Sequence, residues 1–165
     1  MMESTINSID LTNCFLAVVW PTNKDNFDKI VEMIGIDYHI IKIFEYSFKI
    51  SWDEMIRIIY QDDRVKESSI KFKIETMEGY EKRLYLIYIR VDNPMYRTKH
   101  DGRILSVCME DLKKKLRVRF GGKMTKNNPL HIVDEQSHTI NLHEILIKNG
   151  EFSNHDRPVR ILQKD

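Results

Sequence analysis

The segment Cys14–Trp20, CFLAVVW, constrains this chain more than any other: it is uninterrupted apolar sequence closed by Pro21. Such a run is far short of the ~20 residues a membrane span requires. It is bounded as a strand is bounded, by a residue that cannot donate to a ladder, so it reads as a buried central strand. A chain built around such a strand must surround it with a sheet and cover that sheet with helices.

The remaining elements follow from periodicity. Residues 83–92 (RLYLIYIRVD) form the clearest strand, and 37–46 (DYHIIKIFEY) are rich in the β-branched and aromatic residues that strands favour. Residues 23–34 place Phe27, Ile30, Val31 and Ile34 on one helical face, with Gly35 as the expected stop. Ser51 and Glu54 have the spacing of a capping box and open a helix over 52–61. The stretch 67–82 fits either a strand, because SIKFKIE alternates, or a helix with a long exit. Asn93-Pro94 and Asp101-Gly102 mark loops around MYRTKH, and 108–116 (CMEDLKKKL) is expected to be helical up to the break at Gly121-Gly122. A short strand at 129–133, a helix near 137–148 closed by Gly150, and an edge strand at 157–162 complete the reading.

This order predicts one α+β domain over residues 1–165. Its sheet should have about four to five strands in a ferredoxin-like arrangement, with the helices mainly on one face. A chain of 165 residues needs no disulfide or metal to fold. Cys14 and Cys108 lie far apart in apolar segments and are expected to be free thiols in a reducing compartment. The residues before Cys14 include Glu3 and Asp10 and no Lys or Arg, which argues against a secretory leader and for a cytoplasmic protein away from the membrane.

Overall charge directs the chain to no partner, since 26 basic residues face 25 acidic ones. Local charge is more informative. Lys113, Lys114, Lys115, Arg117, Arg119, Lys123 and Lys126 fall in a stretch without a single acid, and Gly121-Gly122 lies among them. Cations beside a glycine bend suit a phosphate group, because oxyanions accept charge-assisted hydrogen bonds from side chains and from backbone amides. The same pattern also fits a solvated helix face running into a turn.

Shortly afterwards comes Asn128-Pro-Leu-His131-Ile-Val-Asp134. A neutral imidazole is a competent nucleophile toward phosphorus, a neighbouring carboxylate fixes its tautomer, and an Asn can hold a phosphate oxygen. A histidine that merely caps a strand is the plainer alternative. The histidines His138 and His143 invite a metal site with His131 and Asp134, but their spacing of five turns them about 140° apart on a helix, so they diverge.

The motif N-x-x-H-x-x-D at 128–134, with Arg117 and Phe120 as an R-x-x-F element before it, resembles the active-site segment of nucleoside diphosphate kinases. The run LAVVWP at 16–21 is similar to that family's first strand. HIIKIFEYSFKISWDEMIRIIY at 39–60 is similar to its second strand and the helix after it. Trp20 stands where the family has Lys, and Ile132-Val133 where it has Gly-Ser. The resemblance implies a ferredoxin-like fold and a ping-pong transfer in which His131 takes the γ-phosphate of a nucleoside triphosphate held with Mg²⁺. It also implies that Tyr60 lines the pocket, and that Arg103, with Arg97 and Lys99, grips the nucleotide.

Two functions of different classes are therefore expected. One is a phosphotransferase with His131, Asp134 and Asn128 as catalytic residues. Lys115, Arg117, Arg119, Lys123, Tyr60 and Arg103 would then contact the nucleotide. The other is a non-catalytic module whose segment 113–126 binds RNA, a nucleotide or an acidic protein. A homo-oligomer is compatible with either.

Overall fold

Strand β1 (Cys14–Val19) is buried at every position, because the sheet has a neighbour on each side of it and a helical layer on each face. The computed structural model describes residues 9–61, 65–121 and 130–155. Within them lie β1, α1 (Phe27–Asp37), β2 (His39–Phe48), α2 (Trp52–Ile59), α3 (Glu67–Met77) and β3 (Arg83–Arg90). They are followed by β4 (Tyr96–Thr98), β5 (Ile104–Ser106), α4 (Val107–Leu116), β6 (Leu130–Ile132), α5 (Gln136–Asn149) and β7 (Gly150–Asn154). The protein is α+β: a five-stranded antiparallel sheet in the order β6-β1-β3-β2-β7, with β4 and β5 forming a separate hairpin.

The helices occupy both faces of the sheet, where the sequence led us to expect one. Alternation along the strands divides the apolar residues into two cores. Phe15, Ala17, Val19, Ile43, Tyr85, Ile87 and Ile89 meet Ile30 and Ile34 of α1 and Met109, Leu112 and Leu116 of α4. On the other face, Leu16, Val18, Phe44, Tyr46, Leu86 and Tyr88 meet Met55 and Ile56 of α2, Met77 of α3, and Leu142 and Leu146 of α5. Double-sided cover is why LYLIYI in β3 reads as a continuous apolar run instead of alternating in and out.

Local chemistry sets most boundaries. Helix α2 opens on the complete capping box, with the Ser51 hydroxyl accepting from the Glu54 amide and Glu54 reaching back to the Ser51 amide. Ser106 caps α4 in the same way by accepting from the Met109 amide. Gly102, at φ +91°, turns the β4–β5 hairpin as Asp101-Gly102 suggests.

Two elements differ from expectation, and one ambiguity is resolved. Pro21–Asn26 forms a 3₁₀ turn, so α1 starts only at Phe27 and runs through Gly35 to Asp37. The ambiguous stretch is the helix α3. The strand after α5 is β7, beginning at Gly150 itself; the strand expected at 157–162 falls outside the described residues.

Candidate functional site

His131 is the middle residue of β6, paired with Val18 of β1. Its neighbours Leu130 and Ile132 pack with α1 and α4, so alternation turns the imidazole to the opposite face, toward α2, α3 and α5. There it is 5% exposed. The edge of its ring meets Tyr60, at the end of α2, with centroids 4.8 Å apart and planes at 69°. Tyr60 in turn stacks on Trp20, at 6.1 Å and 22°, and Trp20 lies 6.5 Å from Trp52. The histidine thus sits at one end of an aromatic row whose other members come from the residue after β1 and from α2 and its C-cap.

One cation lies against this row, and others stand on α4. Lys73 of α3 is buried, with its Nζ 4.8 Å from the centroid of the Trp20 ring. Lys113 of α4 donates to the Asp134 carboxylate, Nζ to Oδ2 2.7 Å. Arg117 opens the π turn that prolongs α4. Burial, first, and then the charges of Lys113, Arg117, Lys73 and His138 hold the His131 imidazole well below its usual pKa. The ring is therefore neutral at physiological pH.

Asp134 holds the site's frame together. Besides the Lys113 pair, its carbonyl accepts from the Ser106 amide at 2.7 Å, so the start of α4 and its second turn both grip the segment after β6. Nearby, the Leu16 amide donates to the buried Thr139 hydroxyl and the Val133 amide to the Leu16 carbonyl, fixing α5 and the end of β6 against β1.

Two buried donors in this region, Trp20 Nε1 and Arg117 Nε, have no hydrogen-bond partner among the described residues.

Of the residues singled out in the sequence, Tyr60 meets His131, Asp134 pairs with Lys113 of α4, and the charge of Arg117 bears on His131 through space. Lys115 joins none of these contacts: it lies about 200° round α4 from Lys113, and its Nζ reaches Asp37 at the end of α1, 3.3 Å away. Arg119 is exposed, with its guanidinium 5.2 Å from the Phe120 ring centroid. Arg103 is engaged within its own hairpin with Asp101, Nε to Oδ2 2.9 Å, and Arg97 and Lys99 both bind Glu110. Asn128 and Lys123 lie outside the described residues.

The histidines weighed as a metal site separate as their spacing requires. His143 bonds to the Tyr88 hydroxyl in the core, 2.6 Å, and His138 faces Glu135. Among the described residues no group of three or more His, Cys, Asp or Glu is arranged to hold a metal ion. Cys14 and Cys108 are free thiols, and no helix among the described residues is long and apolar enough to cross a membrane.

Sequence reasoning missed Lys73. Its signal was available: once 67–77 is read as helical, Lys73 falls on the same stripe as Ile70, Ile74 and Met77. No family model matches this chain, and no curated protein matches it.

Proposed function

We propose that the cluster around His131 is a phosphate site for a nucleotide, and that His131 accepts the transferred phosphoryl group. The observation that carries this reading is a buried imidazole against Tyr60, held neutral by burial and by the charges of Lys113, Arg117 and Lys73, with the Asp134 carboxylate held by Lys113. Such an excess of positive charge at a histidine lacks an obvious role in a core, and it matches the charge of a phosphoryl group.

In this scheme one nitrogen of neutral His131 attacks the γ-phosphorus. An N–P bond forms as the bond from phosphorus to the bridging oxygen breaks, and a nucleoside diphosphate leaves with that electron pair. A second diphosphate then attacks the phosphohistidine and restores the imidazole. Lys113 and Arg117 stabilise the charge on the transferring oxygens, and Asp134 holds Lys113 in place. The described residues have no carboxylate cage, so magnesium, where required, would arrive on the nucleotide's own phosphates.

The strand arrangement favours the same family resemblance. β3 lies between β1 and β2, β1 lies between β6 and β3, and the crossover helices α1 and α4 share one face. We read this as a ferredoxin-like sheet extended by β7 and covered on its second face by α2, α3 and α5. The alternative, a continuous basic face for RNA or an acidic protein, is less well supported, because Lys113 and Lys115 turn to opposite flanks of α4 and each meets an acid.

Incubation with ATP labelled at the γ-phosphate, with Mg²⁺, tests the reading. An acid-labile, base-stable label is expected on the wild type and none on His131→Ala. Nucleotide that protects the fold against heat without labelling it would leave a binding module. Neither label nor protection would overturn the nucleotide reading, and the basic segment would then be tested for RNA binding with a steep salt dependence.

A further inference from the structure

The β4–β5 hairpin forms a sheet of its own, and its backbone pattern shows what each edge presents. The Lys99 amide donates to the Arg103 carbonyl and the Val107 amide to the Met95 carbonyl, in the register that pairs Arg97 with Leu105. Residues 95, 97 and 99 therefore direct their backbone groups into the hairpin, and Tyr96 and Thr98 direct theirs outward. The β5 edge is tied to the segment after β6, where the Ser106 amide donates to the Asp134 carbonyl. Beyond β4 there is no further strand among the described residues, and all three β4 residues are exposed. Tyr96, Thr98 and the exposed Ile104 share one face of the ribbon. Arg97 and Lys99 emerge on the other, where both bind the Glu110 carboxylate, at 2.8 and 3.0 Å, yet stay 50% and 32% exposed. Two cations on one acid leave an excess of positive charge along that side.

We propose that the β4 edge docks an extended segment of another protein, added as a third strand in which acidic residues alternate with apolar ones. Its backbone bonds to the outward groups of Tyr96 and Thr98. Its acidic side chains lie beside Arg97 and Lys99, and its apolar ones beside Tyr96 and Thr98. A ribbon of two strands is marginal in water and gains from a third. A second copy of this chain fits poorly. Antiparallel pairing of β4 with itself about Arg97 sets the two Arg97 side chains opposite each other. Sliding the copies one way sets Arg97 against Lys99 twice, and sliding them the other way sets Thr98 against Pro94, which has no amide to donate. The inference does not depend on the His131 site.

The probe is a short capped peptide in which glutamate alternates with valine, added to the full chain and followed by amide hydrogen exchange. At saturating peptide the Tyr96 and Thr98 amides of wild type should slow at least about tenfold. Thr98→Pro removes one outward amide and keeps the hairpin's own bonds, so it should weaken binding at least about tenfold. Two control peptides on wild type make the test independent of that variant's folding. The same peptide N-methylated at alternate residues cannot complete the ladder and should not bind, and a lysine–valine peptide should bind at least about tenfold more weakly. Unchanged exchange at Tyr96 and Thr98 with millimolar peptide, or equal binding of the N-methylated form, overturns strand addition. Equal binding of the lysine–valine peptide overturns the acidic partner. Slowing of the same amides with rising protein concentration alone overturns the proposal in favour of a second copy.

Discussion

Lys113 and Asp134 form an ion pair of 2.7 Å whose side chains are 18% and 9% exposed, joining the middle of α4 to the segment that follows β6. A pair this shielded is worth little relative to apolar neighbours but is costly to break on one side, since the survivor keeps its charge in a poorly hydrated place. Asp134→Ala, which leaves Lys113 uncompensated beside His131, should cost about 2–3 kcal/mol, and Lys113→Met a similar amount. The double variant should lose less than the sum of the two. Urea unfolding of the four proteins gives the coupling directly, and strict additivity would show that the pair contributes nothing of its own.

His131 makes stability depend on pH in a definite direction. In the unfolded chain a histidine takes up a proton near pH 6.5. In the folded protein, burial and the neighbouring cations keep the ring neutral well below that. The unfolded state therefore binds more protons as pH falls, so stability is complete above the unfolded value and declines beneath it, by at most about 1.4 kcal/mol per pH unit. His131→Gln should flatten this part of the profile. Unfolding free energies of both proteins at pH 7.5 and 5.5 are the test; parallel losses would mean that another histidine is responsible.

Lys73 acts in the same direction at higher pH. Burial pulls its ammonium from the ordinary lysine value down to about 8. Above that pH the folded state has shed the proton while the unfolded chain still holds it, so stability rises with pH. The window is pH 7 to 9, within which the buried Cys14 thiol, pushed up to about 12, takes back part of the gain because unfolded thiols ionise from about pH 8.5. Wild type should gain about 1 kcal/mol over that window. Lys73→Met should lack the gain and be the more stable protein at pH 7. A Lys73→Met profile that rises in step with wild type would place the titration elsewhere.

Much of this fold was legible because several elements carry their own local chemistry. Ser51 and Glu54 announce α2, Asp101-Gly102 announces a turn, and the apolar runs of β1 and β3 announce central strands. The face each helix covers was not legible, because it depends on crossovers that no local pattern encodes. Yet a run such as LYLIYI, apolar at every position, already called for cover on both sides. In α3, Ile70, Phe72 and Ile74 alternate with lysines as a strand would, and the helical stripe through Ile70, Ile74 and Met77 competes with that pattern on equal terms. The site followed the same division. His131 and Asp134 belong to one short motif, whereas Lys73 and Trp20 approach His131 only through the packing of α2 and α3 on β1.

Gly150 offers a test of how α5 and β7 are joined. Its φ of −174° is extended backbone open to any residue, so the reason for glycine is space rather than conformation. An added Cβ would collide with the Ser47 carbonyl and lie 2.6 Å from the Tyr46 Cζ and hydroxyl. Ser47 belongs to the neighbouring strand, and the Tyr46 hydroxyl donates to the Leu146 carbonyl in the last turn of α5, 2.6 Å away. Gly150→Ala must therefore push β7 from β2 or displace Tyr46 from its hydrogen bond, and overpacking of this kind costs about 1–3 kcal/mol. Gly79→Ala, where nothing lies within 4 Å of the added carbon, serves as the control and should stay within about 0.5 kcal/mol of wild type. Thermal unfolding of the two variants separates the cases, and equal melting temperatures would mean that β7 does not pack against β2 as closely as described.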